Sequence, residues 1–110
     1  MIKQGATCGI YRILNNVNGN FYVGSSKNIK ARWLSHRSRL RCGAHYALLL
    51  QRSWDAHGEK VFSLEVLEVV EDVATLLERE QFWMNELQAF NQPNGCNHNS
   101  AVMPKSFEAK

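Results

Sequence analysis

A helical stretch late in this chain carries an acid where its pattern asks for an apolar residue. Val73, Leu76, Leu77, Met84 and Leu87 recur at helical spacing, and the position seven after Val73 is Glu80. A carboxylate inside a core-facing stripe is costly unless a cation compensates it. Two compensations fit the residue types present: an ion pair with a buried arginine, or a bound divalent cation. Magnesium prefers oxygen ligands and often takes one or two carboxylates, filling its shell with water and phosphate. One inward glutamate is therefore enough. Tyr11 and Tyr22 offer two phenols, His36 an imidazole, and Arg32 a fork-shaped guanidinium that suits a phosphate. Glu78 is read as solvent-facing, and Asp55, Glu59, Glu65 and Glu68 as surface or strand-edge acids.

Two short β runs must hold the tyrosines. Residues 8–14 and 21–25 flank Asn15-Asn16-Val17-Asn18-Gly19-Asn20, a run of turn formers that predicts a hairpin. With Tyr11 opposite Tyr22, both rings share one face, and Ile10 and Val23 share the other. Ser25, Ser26 and Asn28 offer N-caps for a helix in which Ile29, Trp33 and Leu40 face the core. Arg32, His36 and Arg39 then form a polar stripe beside the buried one, and Gly43 is a left-handed cap. A second helix is expected over residues 45–57, with Tyr46, Leu49, Leu50, Ser53 and Trp54 on one face and Gly58 as its stop. Residues 61–70 read as a third strand covered on both faces, with Phe62, Leu64 and Val66 on one and Leu67 and Val69 on the other. The last helix opens at Glu71-Asp72 and fades after Phe90. A turn at 91–95 and a short return to the sheet at 96–99 follow. The sum is an α/β domain over residues 1–99, a small three-stranded, mainly antiparallel sheet flanked by helices. Residues 1–7 read as a loose leader, and residues 100–110 as a tail or the start of a linker.

Composition narrows the classes. The 110 residues suffice for one modest core, and 45% hydrophobic with 21% charged residues is ordinary for a globular domain. No apolar run reaches the roughly 20 residues of a membrane helix, and the N-terminus has no apolar signal core, so a cytoplasmic protein is expected. Cys8, Cys42 and Cys96 are odd in number and form no Cys-x-x-Cys pair. Free buried thiols are expected, rather than disulfides or a zinc site; a mixed metal site such as Cys42 with His45 is the less favoured alternative. The net charge is +3, but Lys27, Lys30, Arg32, Arg37, Arg39 and Arg41 fall within fifteen residues that contain no acid. Such a face suits a phosphate partner; a solvated helix face is the plainer alternative.

Gly9-Ile10-Tyr11 followed by Tyr22-Val23-Gly24 resembles the signature of the GIY-YIG nucleases, with valine for the central isoleucine of the second half. The resemblance extends through Arg32, His36, His45, Glu80 and Asn97, from Gly9 to about Asn99, and is to the catalytic modules of phage and intron homing endonucleases. It implies a divalent-metal-dependent DNA endonuclease leaving a 5′-phosphate and a 3′-hydroxyl. Tyr11 is then the general base toward water, and Arg32 pairs with a nonbridging phosphate oxygen. Tyr22 positions water or phosphate, and His36 shares proton handling or binds phosphate. Glu80 holds one Mg2+ or Mn2+ ion, and Asn97 braces the metal and tyrosine site. Lys27, Lys30, Arg39 and His45 are the expected substrate contacts, with His45 equally suited to capping the second helix. Gly24 allows close approach to the site. His57 and His98 are left as structural.

A single site cuts one strand per event, so a monomer is expected, with transient pairing for double-strand cleavage. Two rivals remain. One is a non-catalytic nucleic-acid-binding module on the same scaffold. The other is an interaction domain in which Glu80 pairs with arginine. After Asn99 there is no room for the elongated DNA-binding region such enzymes carry. The chain reads either as a piece of a longer protein or as a small stand-alone nuclease.

Overall fold

The computed structural model describes residues 7–89 and 95–97. β1 (Gly9–Asn15) and β2 (Phe21–Ser26) form the hairpin, and α1 (Ile29–Arg41) and α2 (Leu48–His57) follow. A one-turn 3-10 segment leads into β3 (Phe62–Val69), and another leads into α3 (Leu76–Leu87). The sheet order is β2-β1-β3, antiparallel throughout, so β1 is central and β2 and β3 are edges. Period-two alternation in β1 supplies two cores. Tyr11 and Ile13 pack with Ile29, Leu40, Leu50 and Trp54 of α1 and α2. Ile10 packs with Phe21, Val23, Leu76 and Met84 on the α3 side. Three layers result, with the α1 and α2 pair on one face of the sheet and α3 on the other.

The hairpin register differs from the expected one by two residues. Tyr11 lies opposite Gly24, and Tyr22 opposite Ile13. The turn is centred one residue later than that register requires, because Asn15 pairs with Asn20 by a 2.8 Å backbone bond and accepts the Gly19 amide at 2.9 Å. A two-residue shift preserves faces, so Tyr11 and Tyr22 still share one. Asn15 is buried. Its Nδ2 donates to Ser53 Oγ at 2.9 Å and its Oδ1 accepts the Val17 amide at 2.8 Å, tying the turn to α2.

Four other expectations are corrected. His36 is buried, not part of an exposed polar stripe, because hydrogen bonds engage both of its ring nitrogens. The second helix begins at Leu48; Tyr46 precedes it and is exposed. β3 is not covered on both sides. It is an edge strand with a bulge opposite Ile10 and Tyr11, and Val66 and Val69 are exposed. Asp72 caps the 3-10 turn, and that change of pitch leaves Val73 and Leu77 exposed while Leu76, Glu80 and Met84 are buried.

Gly43 has φ 72°, and the Ala44 amide reaches back to Arg39 O at 2.9 Å, a left-handed cap as expected. Of the three cysteines only Cys96 is buried, and Cys42 is exposed. Among the described residues no helix is long and apolar enough to cross a membrane. The leader (save Thr7), most of the 91–95 turn, His98, Asn99 and the tail lie outside the described residues.

Candidate active site

The site forms where β2 hands over to α1. The turn between them is short: Ser26 Oγ accepts the Asn28 amide at 2.9 Å, and Asn28 Oδ1 accepts the Ala31 amide at 3.1 Å, capping the helix. One turn into α1, Arg32 therefore stands over the end of β2. From the other face of the sheet, the first turns of α3 bring Glu80 to the same edge. A cleft of about 590 Å³ lies between, with Tyr11, Tyr22, Gly24, Lys27, Arg32 and Glu80 among its walls. A smaller hollow of about 220 Å³ continues along α1 between Arg32, Ser35, His36, Arg39 and Tyr46, so Arg32 borders both.

Gly24 lies directly opposite Tyr11, and its missing side chain is what admits that ring. A Cβ there would stand 2.6 Å from Tyr11 Cζ, inside any tolerable contact. Tyr11 is buried and bonded through its hydroxyl to His36 Nε2 at 2.6 Å. Burial pushes the Tyr11 phenol well above the usual tyrosine range, the neighbouring Tyr46 and Glu80 add to this, and the Arg32 guanidinium pulls it back. Tyr22 is likewise pushed up, first by burial and then by Tyr46, whose hydroxyl accepts from it at 3.3 Å.

Glu80 is buried, and burial raises its carboxyl above the ordinary value; the Ser25 hydroxyl and Arg32 pull it down. Ser25 Oγ donates to Glu80 Oε1. Among the described residues no ion pair to Glu80 forms; the arginine pairs are Arg12–Glu65, Arg37–Glu59, Arg41–Glu59 and Arg79–Glu68. Glu68 also takes the Trp83 indole N–H at 2.9 Å, so this β3 acid is committed to Arg79 and Trp83 of α3. No group of three or more metal-ligating side chains occurs among the described residues. A lone carboxylate bordering a wet cleft fits a hard cation that keeps most of its shell as water and phosphate, and fits no all-protein cage.

Behind Tyr11 the histidines form a row. His36 Nδ1 meets His45 Nε2 at 2.7 Å, and His45 Nδ1 accepts the Ala47 amide at 2.9 Å. Burial holds His36 down at about 3, with His45, Arg32 and Arg39 adding to the effect, and holds His45 down at about 4, with Arg39 adding to it. His45 is thus buried behind His36 rather than at the cleft, and it precedes α2 rather than capping it. Lys30 and Arg39 are exposed on α1, with Arg39 beside the smaller hollow. Asn97 lies on the outer edge of β2: its Oδ1 accepts the Val23 amide and its Nδ2 donates to Val23 O, both at 2.9 Å. It pins the residue between Tyr22 and Gly24 and touches neither tyrosine hydroxyl.

Sequence reasoning missed Ser25 and Tyr46. Strand alternation from Val23 carried the only signal for Ser25, since it puts that hydroxyl on the α3 side with Glu80. Helical spacing puts Tyr46 on one face of the second helix with Leu49, Leu50, Ser53 and Trp54. In the structure it stacks on the His45 ring at 4.4 Å between centroids and stands exposed over the smaller hollow.

Fold and cleft together define a small α/β catalytic domain in which acid, phenols and guanidinium meet at the end of an edge strand. Residues 7–94 match the GIY-YIG catalytic domain, and the chain belongs to that family. Intron-associated endonuclease 1 of Enterobacteria phage T4 is 41% identical over 90 residues, which is 81% of this chain and 36% of that protein. The chain thus spans about a third of the length of that relative. Two solved structures of the catalytic domain of the intron homing endonuclease I-TevI superpose on it. One, a glutamate-to-alanine variant, has TM-score 0.79 at 37% identity and covers 89% of this chain and 99% of its own. The other has TM-score 0.75 at 39% identity and covers 84% and 98%. The chain carries a GIY-YIG catalytic domain, and that family generally works with a divalent metal ion.

Proposed function

We propose that this domain hydrolyses phosphodiester bonds of DNA, with one Mg2+ or Mn2+ ion held at Glu80. The observation that carries the reading is Glu80 itself: a buried carboxylate with one oxygen on Ser25 and no ion pair among the described residues, bordering the cleft that Tyr11 and Arg32 share. Unpaired, such a group is a liability; with a cation it is a site. When bound, the ion would supply charge neutralisation at the phosphate and at the leaving oxygen.

The chain's own residues do the rest. The Arg32 guanidinium binds a nonbridging phosphate oxygen and balances the charge that grows there. Tyr11, as phenolate, takes a proton from the attacking water while the new P–O bond forms and the bond to the 3′-oxygen breaks. The products are a 5′-phosphate and a 3′-hydroxyl, the latter completed by a solvent proton. Tyr11's raised proton affinity makes it a strong base once ionised; Arg32 lowers the cost of ionising it, and a cation at Glu80 would lower it further. Tyr22 orients water or phosphate. Lys27, Lys30 and Arg39 hold flanking phosphates along the exposed side of α1. One cleft per chain cuts one strand per event, so a duplex break takes two events or transient pairing of two domains.

Supercoiled plasmid incubated with the protein tests this directly. Nicked circles that form with magnesium and not with chelator are the expected product. Salt-sensitive binding without any nicking would instead favour a non-catalytic nucleic-acid-binding module.

A further inference from the structure

The row of histidines behind Tyr11 has a direction, fixed by one backbone amide. An amide N–H only donates. Ala47 N–H donates to His45 Nδ1 at 2.9 Å, so that nitrogen bears no proton. A neutral His45 must then carry its proton on Nε2, which lies 2.7 Å from His36 Nδ1. His36 Nδ1 must accept, so His36 in turn carries its proton on Nε2, 2.6 Å from the Tyr11 hydroxyl oxygen.

We infer that His45 is a positioning residue: with the Ala47 amide it holds His36 in the tautomer that donates Nε2–H to Tyr11 Oη. This rests on the nuclease reading of Tyr11 as base. It excludes His36 as a store for the water's proton. Protonating His36 would place N–H against N–H at the His45 contact, and His45 has no second acceptor to offer. It also sets Tyr11: the phenol oxygen accepts from His36, its own O–H is left for the cleft, and the phenolate receives the same N–H as stabilisation.

The turn that carries the amide is itself held. Gln51 Oε1 accepts the His45 amide at 3.0 Å, and Gln51 Nε2 donates to Leu40 O at 3.0 Å and to Asp55 Oδ1 at 2.9 Å. These partners leave the Gln51 amide only one orientation. The near-parallel His36 and His45 rings, 25° apart, are flanked edge-on by Tyr22, which blocks rotation. Both imidazoles are buried, and both are held neutral far below the usual histidine range.

The test reads tautomers and rates separately. In protein with 15N-labelled histidine, long-range 1H–15N correlation near neutral pH should show His36 and His45 both protonated at Nε2 and bare at Nδ1. In single-turnover nicking with magnesium, His45→Leu should lower the rate constant about 10- to 100-fold with little change in the concentration for half-saturation. The same variant should release His36 to the Nδ1–H tautomer. His45→Gln, whose amide N–H can still donate to His36 Nδ1, should keep the tautomer and recover most of the rate. His36 protonated at Nδ1 in the wild type, or unchanged rate and tautomer in His45→Leu, would overturn the inference. If His45→Leu does not fold, the wild-type spectrum and His45→Gln decide alone. A wild type that shows these tautomers yet nicks nothing removes the nuclease reading and leaves the row of bonds standing. One that nicks with His36 reversed does the opposite.

Discussion

At position 80, activity and stability should part company. A carboxylate that is structural, paired to an arginine, cannot be neutralised without stranding its partner's charge. Glu80 has Ser25 Oγ as its partner, and a hydroxyl bonds an amide oxygen as readily as a carboxylate. Glu80→Gln therefore removes a desolvated charge while leaving the hydrogen bond in place. Magnesium-dependent nicking should fall more than about 100-fold, while the melting temperature in chelator at pH 7 stays the same or rises. A clear drop in melting temperature would return Glu80 to a structural role. At Gly24 the two properties should fall together. A Cβ there overlaps the Tyr11 ring, and Tyr11 is buried and bonded to His36, so it has nowhere to retreat. Gly24→Ala should cost about 1–3 kcal/mol by overpacking and should displace the phenol from the cleft. Urea denaturation and plasmid nicking on the same preparation check both halves.

Among the elements, β2 is the one whose integrity the cleft depends on, and it is an edge strand. Tyr22, Gly24 and Ser25 all lie on it, yet it is paired by a strand on one side only. Residues 95–97 cover the other side: Gly95 bridges to Phe21, the Cys96 amide donates to Phe21 O at 2.8 Å, and Asn97 spans both backbone groups of Val23. Asn97→Ala leaves a buried N–H and C=O unpaired and should cost about 1–3 kcal/mol. Hydrogen exchange at the Val23 amide should speed up by more than at amides of β1, the central strand. Equal acceleration across the sheet would mean that Asn97 serves global stability and not this edge.

The sequence announced β2 clearly through its hairpin turn and its alternation, and it announced Glu80 through a gap in an apolar stripe. What it concealed were roles that depend on a partner far along the chain. His36 on its own helix looks like a surface residue; it is buried because His45 and Tyr11 satisfy both ring nitrogens. Asn15 read as a turn former and is a buried tie to α2, a role that needs Ser53 to be seen. Asn97 carries no local pattern at all. The helix start at Leu48 was misplaced because hydrogen bonds of His45 and Gln51 hold residues 45–47 in a turn, and that at Leu76 because a capped 3-10 turn precedes it.

Across the whole molecule, the buried histidines predict how stability responds to acid. His36 and His45 titrate near 6.5 when unfolded and are held at about 3 and about 4 in the fold. Below about pH 6.5 the unfolded chain takes up two protons that the native state refuses. Unfolding free energy therefore falls as pH falls, by up to about 1.4 kcal/mol per pH unit for each histidine. That loss continues until the native histidines themselves protonate. Glu80 works in the opposite sense: its raised proton affinity penalises the fold above its unfolded value near 4.5, and acid relieves that penalty. Glu68, held low by Trp83 and Arg79, contributes stability that is lost only below about 4.5. Between about pH 6.5 and 4.5 two histidines thus act in one sense and Glu80 alone opposes them at the lower end. Urea denaturation across this window should give a steep decline for the wild type and a shallower one for His36→Asn, which removes one of the two groups. Because His36→Asn also lowers stability at every pH, the slope and not the absolute value is the quantity to compare. Equal slopes would mean that native His36 takes up its proton as readily as the unfolded chain does, so that the directed row of hydrogen bonds from Ala47 to Tyr11 gives way within this window.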